Sequence, residues 1–166
     1  MVARLMEGKR VVAVSGAHGK TTTSSLIAHS SWSVPAANPM YLLGGESPDL
    51  GGHASWGNGD ICVVEADEYK RAFHEYTPDI AIILNVEPDH LDYYGTAAAY
   101  RQAFAVFAHR VREGGIILAC ADDPGAREVS DILGDDPVRH ETYGIEGVRY
   151  WMAATSPSPA TARASP

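Results

Sequence analysis

Lysine is scarce in this chain of 166 residues: Lys9, Lys20 and Lys70 are the only three. With a formal net charge of −8, the chain lacks the clustered cations that a nucleic-acid backbone demands. Cysteine is nearly absent as well. Cys62 and Cys120 each sit in an apolar run, Ile61-Cys62-Val63-Val64 and Ile116-Ile117-Leu118-Ala119-Cys120. That placement predicts buried free thiols and argues against a disulfide framework. No apolar run approaches membrane-spanning length, and the N-terminal Arg4, Glu7, Lys9 and Arg10 lead into no signal core. The expectation is a cytoplasmic protein with neither a nucleic-acid nor a membrane partner. The remainder is ordinary: 45% hydrophobic and 20% charged residues, enough to build one core in one domain.

Against this scarcity, the position of Lys20 is informative. It lies in Ser15-Gly16-Ala17-His18-Gly19-Lys20-Thr21-Thr22-Thr23, after the β-branched run Val11-Val12-Ala13-Val14. Strand, glycine turn, lysine, hydroxyl and helix form the layout of a phosphate-binding loop. Gly16 and Gly19 let successive N–H groups turn toward one anion, and a helix beginning near Lys20 adds its positive end. The spacing is short. The common pattern places its first glycine five residues before the second, where this chain has Val14; here the first is Gly16, three before Gly19.

The rest of the chain alternates apolar runs with helical patterns. Residues 10–15, 61–64, 80–84 and 116–120 read as buried strands of the parallel type. Tyr41-Leu42-Leu43 reads as a short strand closed by Gly44-Gly45, and residues 48–60 read as a loop. Residues 20–31 read as a helix whose apolar contacts are Leu26 and Ile27. Residues 96–112 read as another, with Thr96 as N-cap and Ala99, Ala103, Val106, Phe107 and Val111 on one face, and 125–133 as a third. This order predicts an α/β fold: a P-loop-type, mainly parallel sheet flanked by helices. The polar blocks Gly16 to Thr21, Glu65 to Glu68, Asn85 to His90 and Asp122-Asp123 all follow strand ends, where such sheets bind ligands.

Two of those blocks carry candidate chemistry. Glu65 ends an apolar strand, the place for an acid that holds Mg²⁺ with Thr21, phosphate and water. Asp67 and Glu68 crowd beside it, and a cation would relieve their repulsion. His90 lies in Glu87-Pro88-Asp89-His90-Leu91-Asp92, past the strand end at Asn85. By spacing alone, it is either a surface hydrogen-bonding group or a metal ligand.

Together, Gly16-Ala17-His18-Gly19-Lys20-Thr21-Thr22-Thr23, Glu65-Ala66-Asp67-Glu68-Tyr69 and Asn85-Val86-Glu87-Pro88-Asp89-His90-Leu91-Asp92 resemble three signatures of the Mur ligase central domain, closest to the alanine-adding branch. Asp122-Asp123-Pro124 and Thr142-Tyr143-Gly144 fit the same pattern. The resemblance assigns residues 1–150 to part of that ATP-binding domain. It leaves 151–166 as a Ser/Pro/Ala-rich tail, expected to be disordered. It implies ATP and Mg²⁺ as cofactors. Gly16, Ala17, His18, Gly19, Lys20, Thr21 and Thr22 would bind the nucleotide; Lys20, His90 and Asn85 would be catalytic; Thr21, Glu65 and His90 would hold metal. It further implies ligation of L-alanine to UDP-N-acetylmuramate through an acyl phosphate. A related ligase of the murein-peptide or folylpolyglutamate type, or a nucleotide-binding remnant without catalysis, remains the alternative. The departures are Ala17 in place of the loop's usual Thr, no lysine after Lys70 to be carbamylated, and no counterpart of the family's outer domains. The last leads to the expectation of a chain incomplete on its C-terminal side.

Overall fold

The structure, a computed structural model, describes residues 2–34, 37–134, 138–145 and 151–152. In chain order the elements are α1 (Val2–Leu5), β1 (Arg10–Ser15), α2 (Lys20–Trp32), β2 (Met40–Ser47), β3 (Gly52–Ser55), β4 (Ile61–Glu65) and β5 (Ile80–Ile83). They continue with α3 (Leu91–Tyr94), α4 (Ala97–Ala108), β6 (Ile116–Cys120), α5 (Pro124–Leu133), β7 (Arg139–Gly144) and β8 (Trp151–Met152). The strands form one sheet in the order β3-β2-β4-β1-β5-β6-β7-β8. Every pairing is parallel except the antiparallel β2–β3. The mainly parallel α/β architecture read from the sequence is therefore the architecture of the protein.

Alternation along the strands assigns the two faces. Val63 of β4 packs with Ala28 of α2, Tyr41, Leu43 and Leu50. Its neighbours Cys62 and Val64 point the other way, into a larger core with Val11, Ala13, Ala81, Ile83, Ile117 and residues of α4 and α5. Helix α2 thus covers one face over β2 and β4, and α4 and α5 cover the other. Beyond α2 its face is open: Thr23, Ile82, Leu84, Leu118 and Tyr143 line a hollow of about 380 Å³.

Strand β1 lies between β4 and β5, its neighbours in space but not in sequence. The chain leaves β1 toward one side of the sheet and later returns to the other, so the C-terminal end of β1 is the switch point where such folds form a crevice. At the opposite end, the Asp79 carboxylate accepts the Val11 N–H at 2.6 Å and Arg112 Nη1 at 3.2 Å, tying β1 to the approach of β5.

Several local expectations are corrected. Strand β2 does not close at Gly44-Gly45; it runs through both to Ser47. The stretch 48–60 contains a 3-10 turn, Pro48–Leu50, and β3, because β2 folds back and satisfies its outer edge by hairpin pairing. Helix α4 starts as expected, with Thr96 Oγ1 accepting the Ala99 N–H at 3.1 Å, but ends at Ala108, and Val111 is buried beyond it. Leu26 is 63% exposed rather than a contact of α2. Only Ser24 and Ala28 of that helix are buried, because small residues let it lie close to the sheet. Cys62 is buried, and burial pushes its thiol up to about 11; Cys120 is half-buried. Of the tail expected over 151–166, Trp151–Met152 instead form β8, paired with β7, and the residues from 153 onward lie outside the described residues.

A 3-10 stretch, Tyr69–Glu75, links β4 to β5 and contains Lys70 and Arg71 at φ 50° and 59°. Phe73 anchors it, stacked on Phe107 at 4.9 Å and edge-on to Phe104 at 5.2 Å. Next to it His74 donates from Nε2 to Ala103 O at 2.8 Å. Burial holds the imidazole below its usual 6.5, reinforced by Arg71 and Arg110 and opposed by that hydrogen bond and Glu75. The unfolded chain therefore takes a proton at a higher pH than the folded one. Stability is full above the unfolded value and falls as pH drops through the window beneath it. Replacing His74 by Gln is expected to flatten the acid-side slope of Tm relative to wild type; identical slopes would contradict this assignment.

Candidate functional site

The loop after β1 is held from two sides. Gly16 has φ 145°, and a Cβ there would stand 3.0 Å from Leu84 Cβ and 3.1 Å from Asn85 N. Glycine therefore lets the loop press against the end of β5. Asn85 then grips it: its Oδ1 accepts the His18 N–H at 2.8 Å, its Nδ2 donates to His18 O at 2.9 Å, and its own carbonyl accepts the Ala17 N–H at 3.2 Å. Gly19, at φ 84°, caps α2 without a side-chain bond, which leaves the first-turn N–H groups of α2 available to a ligand. Thr21 and Thr22 occupy that first turn. The His18 contact with Glu87, 3.8 Å between two exposed side chains, contributes little.

Lys20 does not extend into solvent. Its Nζ donates to Gly16 O at 2.5 Å and to both oxygens of Glu68, at 2.9 and 3.2 Å. Glu65 faces the loop from β4. Its Oε1 accepts the Gly44 N–H at 2.6 Å and lies 3.5 Å from Ser24 Oγ. A Cβ on Gly44 would stand 2.7 Å from Glu65 Oε2, so a side chain there would push the carboxylate from its place. Lys20, Leu42, Leu43, Gly44, Glu65 and Asp67 line one open hollow of about 310 Å³. Thr21 lies on the same side: a Cβ on Gly45 would be 3.5 Å from its methyl group.

His90 is at φ 51°, at the start of α3, with its N–H donating to Asp89 Oδ1 at 2.7 Å. Its ring lies 4.8 Å from that of Tyr69, the residue after Glu68. The tyrosine below it, Tyr94, donates its hydroxyl to Glu68 O. His90 thus borders the acidic segment through an aromatic contact. Among the described residues, no three His, Cys, Asp or Glu side chains converge as a ready metal cluster.

The profile of the Mur ligase middle domain matches residues 14–162, which contain every one of these groups. The chain belongs to the Mur ligase family. It is 46% identical over 143 residues to UDP-N-acetylmuramate–L-alanine ligase of Streptomyces avermitilis, covering 86% of this chain and 31% of that protein. It is 45% identical over 159 residues to the ligase of the same name from Roseiflexus sp., covering 95% of this chain and 31% of that protein. The chain thus spans about a third of the length of these relatives. Among solved structures, the UDP-N-acetylmuramate–alanine ligase of Thermotoga maritima superposes with a TM-score of 0.69 at 31% identity, over 88% of this chain and 31% of that one. The UDP-N-acetylmuramate:L-alanyl-γ-D-glutamyl-meso-diaminopimelate ligase of Neisseria meningitides gives 0.73 at 25%, over 85% and 49%.

For this Mur ligase domain, the donor set suits a hard cation on one side only. Thr21 and Glu65 offer a hydroxyl and a carboxylate, and Mg²⁺ takes few protein oxygens and completes its shell with water and phosphate. The His90 imidazole is a softer donor and stands apart from any three-ligand cluster. Sequence reasoning missed the bond between Glu68 and Lys20, treating Glu68 only as a crowding charge. The available signal was an acid three residues past a strand end in a chain whose loop carries one of its three lysines. The clamp made by Asn85 had no signal in the sequence, since it depends on β5 lying beside β1. No helix among the described residues is long and apolar enough to cross a membrane.

Proposed function

We propose that this chain is the nucleotide-binding domain of an ATP-dependent ligase that joins L-alanine to UDP-N-acetylmuramate, an amide-forming step of peptidoglycan precursor synthesis in the cytoplasm. The observation that carries the reading is the convergence of Lys20 and Glu65 on one hollow beside the bare N-terminus of α2. A lysine, free amides and a hard carboxylate donor are the set that an Mg²⁺-bound polyphosphate requires.

The chemistry divides among these residues. The amides of residues 19–22, which the Asn85 clamp on the Ala17 and His18 N–H groups does not engage, hold the phosphates, and Lys20 meets the negative charge that builds on the outer phosphoryl group during transfer. The substrate carboxylate takes that group, ADP leaves, and the alanine amine displaces phosphate from the acyl phosphate to form the amide. Thr21 and Glu65 would hold Mg²⁺, which when bound would supply charge neutralisation on the phosphate oxygens. His90 and Asn85 lie on the segment after β5, and with its amide engaged by the His18 backbone Asn85 acts by shaping the loop. A role for His90 at a second cation rests on the family resemblance.

Calorimetric titration of the chain with ATP, with and without Mg²⁺, tests the binding half. Saturable binding strengthened by Mg²⁺ is expected, and no heat at millimolar ATP contradicts it. ADP formation that needs both UDP-N-acetylmuramate and L-alanine tests the ligase half; ATP binding without such turnover assigns the chain as a binding module. Replacing Asn85 by Ala removes two bonds to the loop, each contributing about 1 kcal/mol net. The expected result is ATP affinity lowered by about tenfold with the fold retained in the circular dichroism spectrum; unchanged affinity would separate the clamp from binding.

A further inference from the structure

We infer that Glu68 is the positioning residue for Lys20, and that it keeps this lysine while nucleotide is bound rather than surrendering it. The inference rests on the nucleotide reading above. The Glu68 side chain is 3% exposed and that of Lys20 17%. Both carboxylate oxygens lie on Nζ, and the Glu68 backbone is fixed by the Tyr94 hydroxyl on its carbonyl and by the Arg71 N–H bonded to the same atom at 2.9 Å. The acid is thus a rigid fixture and the lysine the flexible partner, a four-carbon stem that otherwise loses much rotamer freedom on meeting a ligand.

Two outcomes are conceivable when phosphate enters. If Lys20 swung away to the phosphate, Glu68 would remain as a buried carboxylate stripped of its cation, a state that is strongly unfavourable. If Glu68 holds Lys20 from behind, the ammonium is presented to the loop in one place, with its Gly16 contact retained, and its ordering cost is met before nucleotide arrives. Burial of the acid favours the second. A structural role alone would make Glu68 matter for folding whatever stands at position 20. A positioning role makes its effect on nucleotide binding vanish when Lys20 is absent.

A double-mutant cycle on the full chain reads this difference. ATP affinity is measured for wild type, Glu68→Gln, Lys20→Ala and the pair, with melting temperatures for all four; Gln matches Glu in size and protects the fold. Glu68→Gln is expected to weaken ATP by about fivefold to tenfold, the size of a lost charge-assisted contact. The pair is expected to bind ATP within about twofold of Lys20→Ala alone, the coupling such a cycle resolves. Lys20→Ala should melt lower than the pair, since only the single variant strands the buried carboxylate. Additive losses in ATP affinity would overturn the proposal, as would tighter ATP binding by Glu68→Gln, which would make Glu68 a competitor of phosphate. Failure of the wild type to bind ATP would instead defeat the nucleotide reading on which the proposal rests. The melting temperatures need no nucleotide: a pair that melts no higher than Lys20→Ala would by itself refute the stranded-charge argument.

Discussion

Lys20→Ala is expected to lower ATP affinity by about 100-fold, because contacts to a charged phosphate through an ammonium contribute roughly 1.5–3 kcal/mol each and Lys20 is placed for more than one. The side chain already lies along the loop, with Nζ 2.5 Å from Gly16 O, so little reorganisation precedes contact. No other lysine can substitute: Lys9 bonds Gly59 O, and the Lys70 ammonium stands over the Tyr69 ring at 5.2 Å. The variant also leaves Glu68 buried without its cation, so a lower melting temperature should accompany the weaker binding. Isothermal titration at saturating Mg²⁺, with the folded fraction checked by circular dichroism, separates the two effects. A variant that is folded and binds ATP as wild type does would remove Lys20 from the site.

Phe73→Ala is expected to destabilise the chain by about 3–5 kcal/mol, the range for emptying a buried aromatic site. In a domain of this size that corresponds to a Tm lowered by roughly 10 °C. Phe73 has no exposed surface. It is stacked on Phe107 and edge-on to Phe104, and Tyr100 continues the cluster from Phe104 to Tyr94. Its removal leaves a void that this rigid aromatic group cannot collapse to fill. Phe73 also lies in the stretch Tyr69–Glu75 that follows Glu68, and its N–H bonds Asp67 O at 2.9 Å. Loss of the anchor should therefore weaken ATP binding even at temperatures where the variant stays folded. Chemical denaturation gives the stability; a loss below about 1.5 kcal/mol, the range of a conservative core swap, would show that the cluster repacks.

How much of this was legible beforehand depended on whether the signal was local. Strands β1, β4, β5 and β6 are continuous apolar runs, buried on the face that α4 and α5 cover and, in β5 and β6, half-buried on the other, and such runs identify themselves. Thr96 caps α4 as its residue type suggests, whereas Asp123, read only as part of a polar block after a strand, caps α5. By contrast, β2 contains Gly44 and Gly45, which read as a break. The Glu65 carboxylate lies against the Gly44 backbone, and that contact crosses strands. Strand β7, Arg139–Gly144, is polar at its start and stands near the sheet's edge, so its sequence carries no apolar run. The site shows the same division. The loop and the strand-end acid were legible because each is a local pattern. The Glu68–Lys20 pair and the Asn85 clamp were not, because both exist only once β1, β4 and β5 lie side by side.

Amide hydrogen exchange, recorded with and without ATP and Mg²⁺, tests most directly whether the loop after β1 is an anion cradle. Added protection is expected at residues 19–22, dependent on Mg²⁺ and abolished in Glu65→Ala for the Mg²⁺-dependent part. Bound nucleotide that leaves residues 19–22 unchanged and protects another surface instead would contradict the cradle.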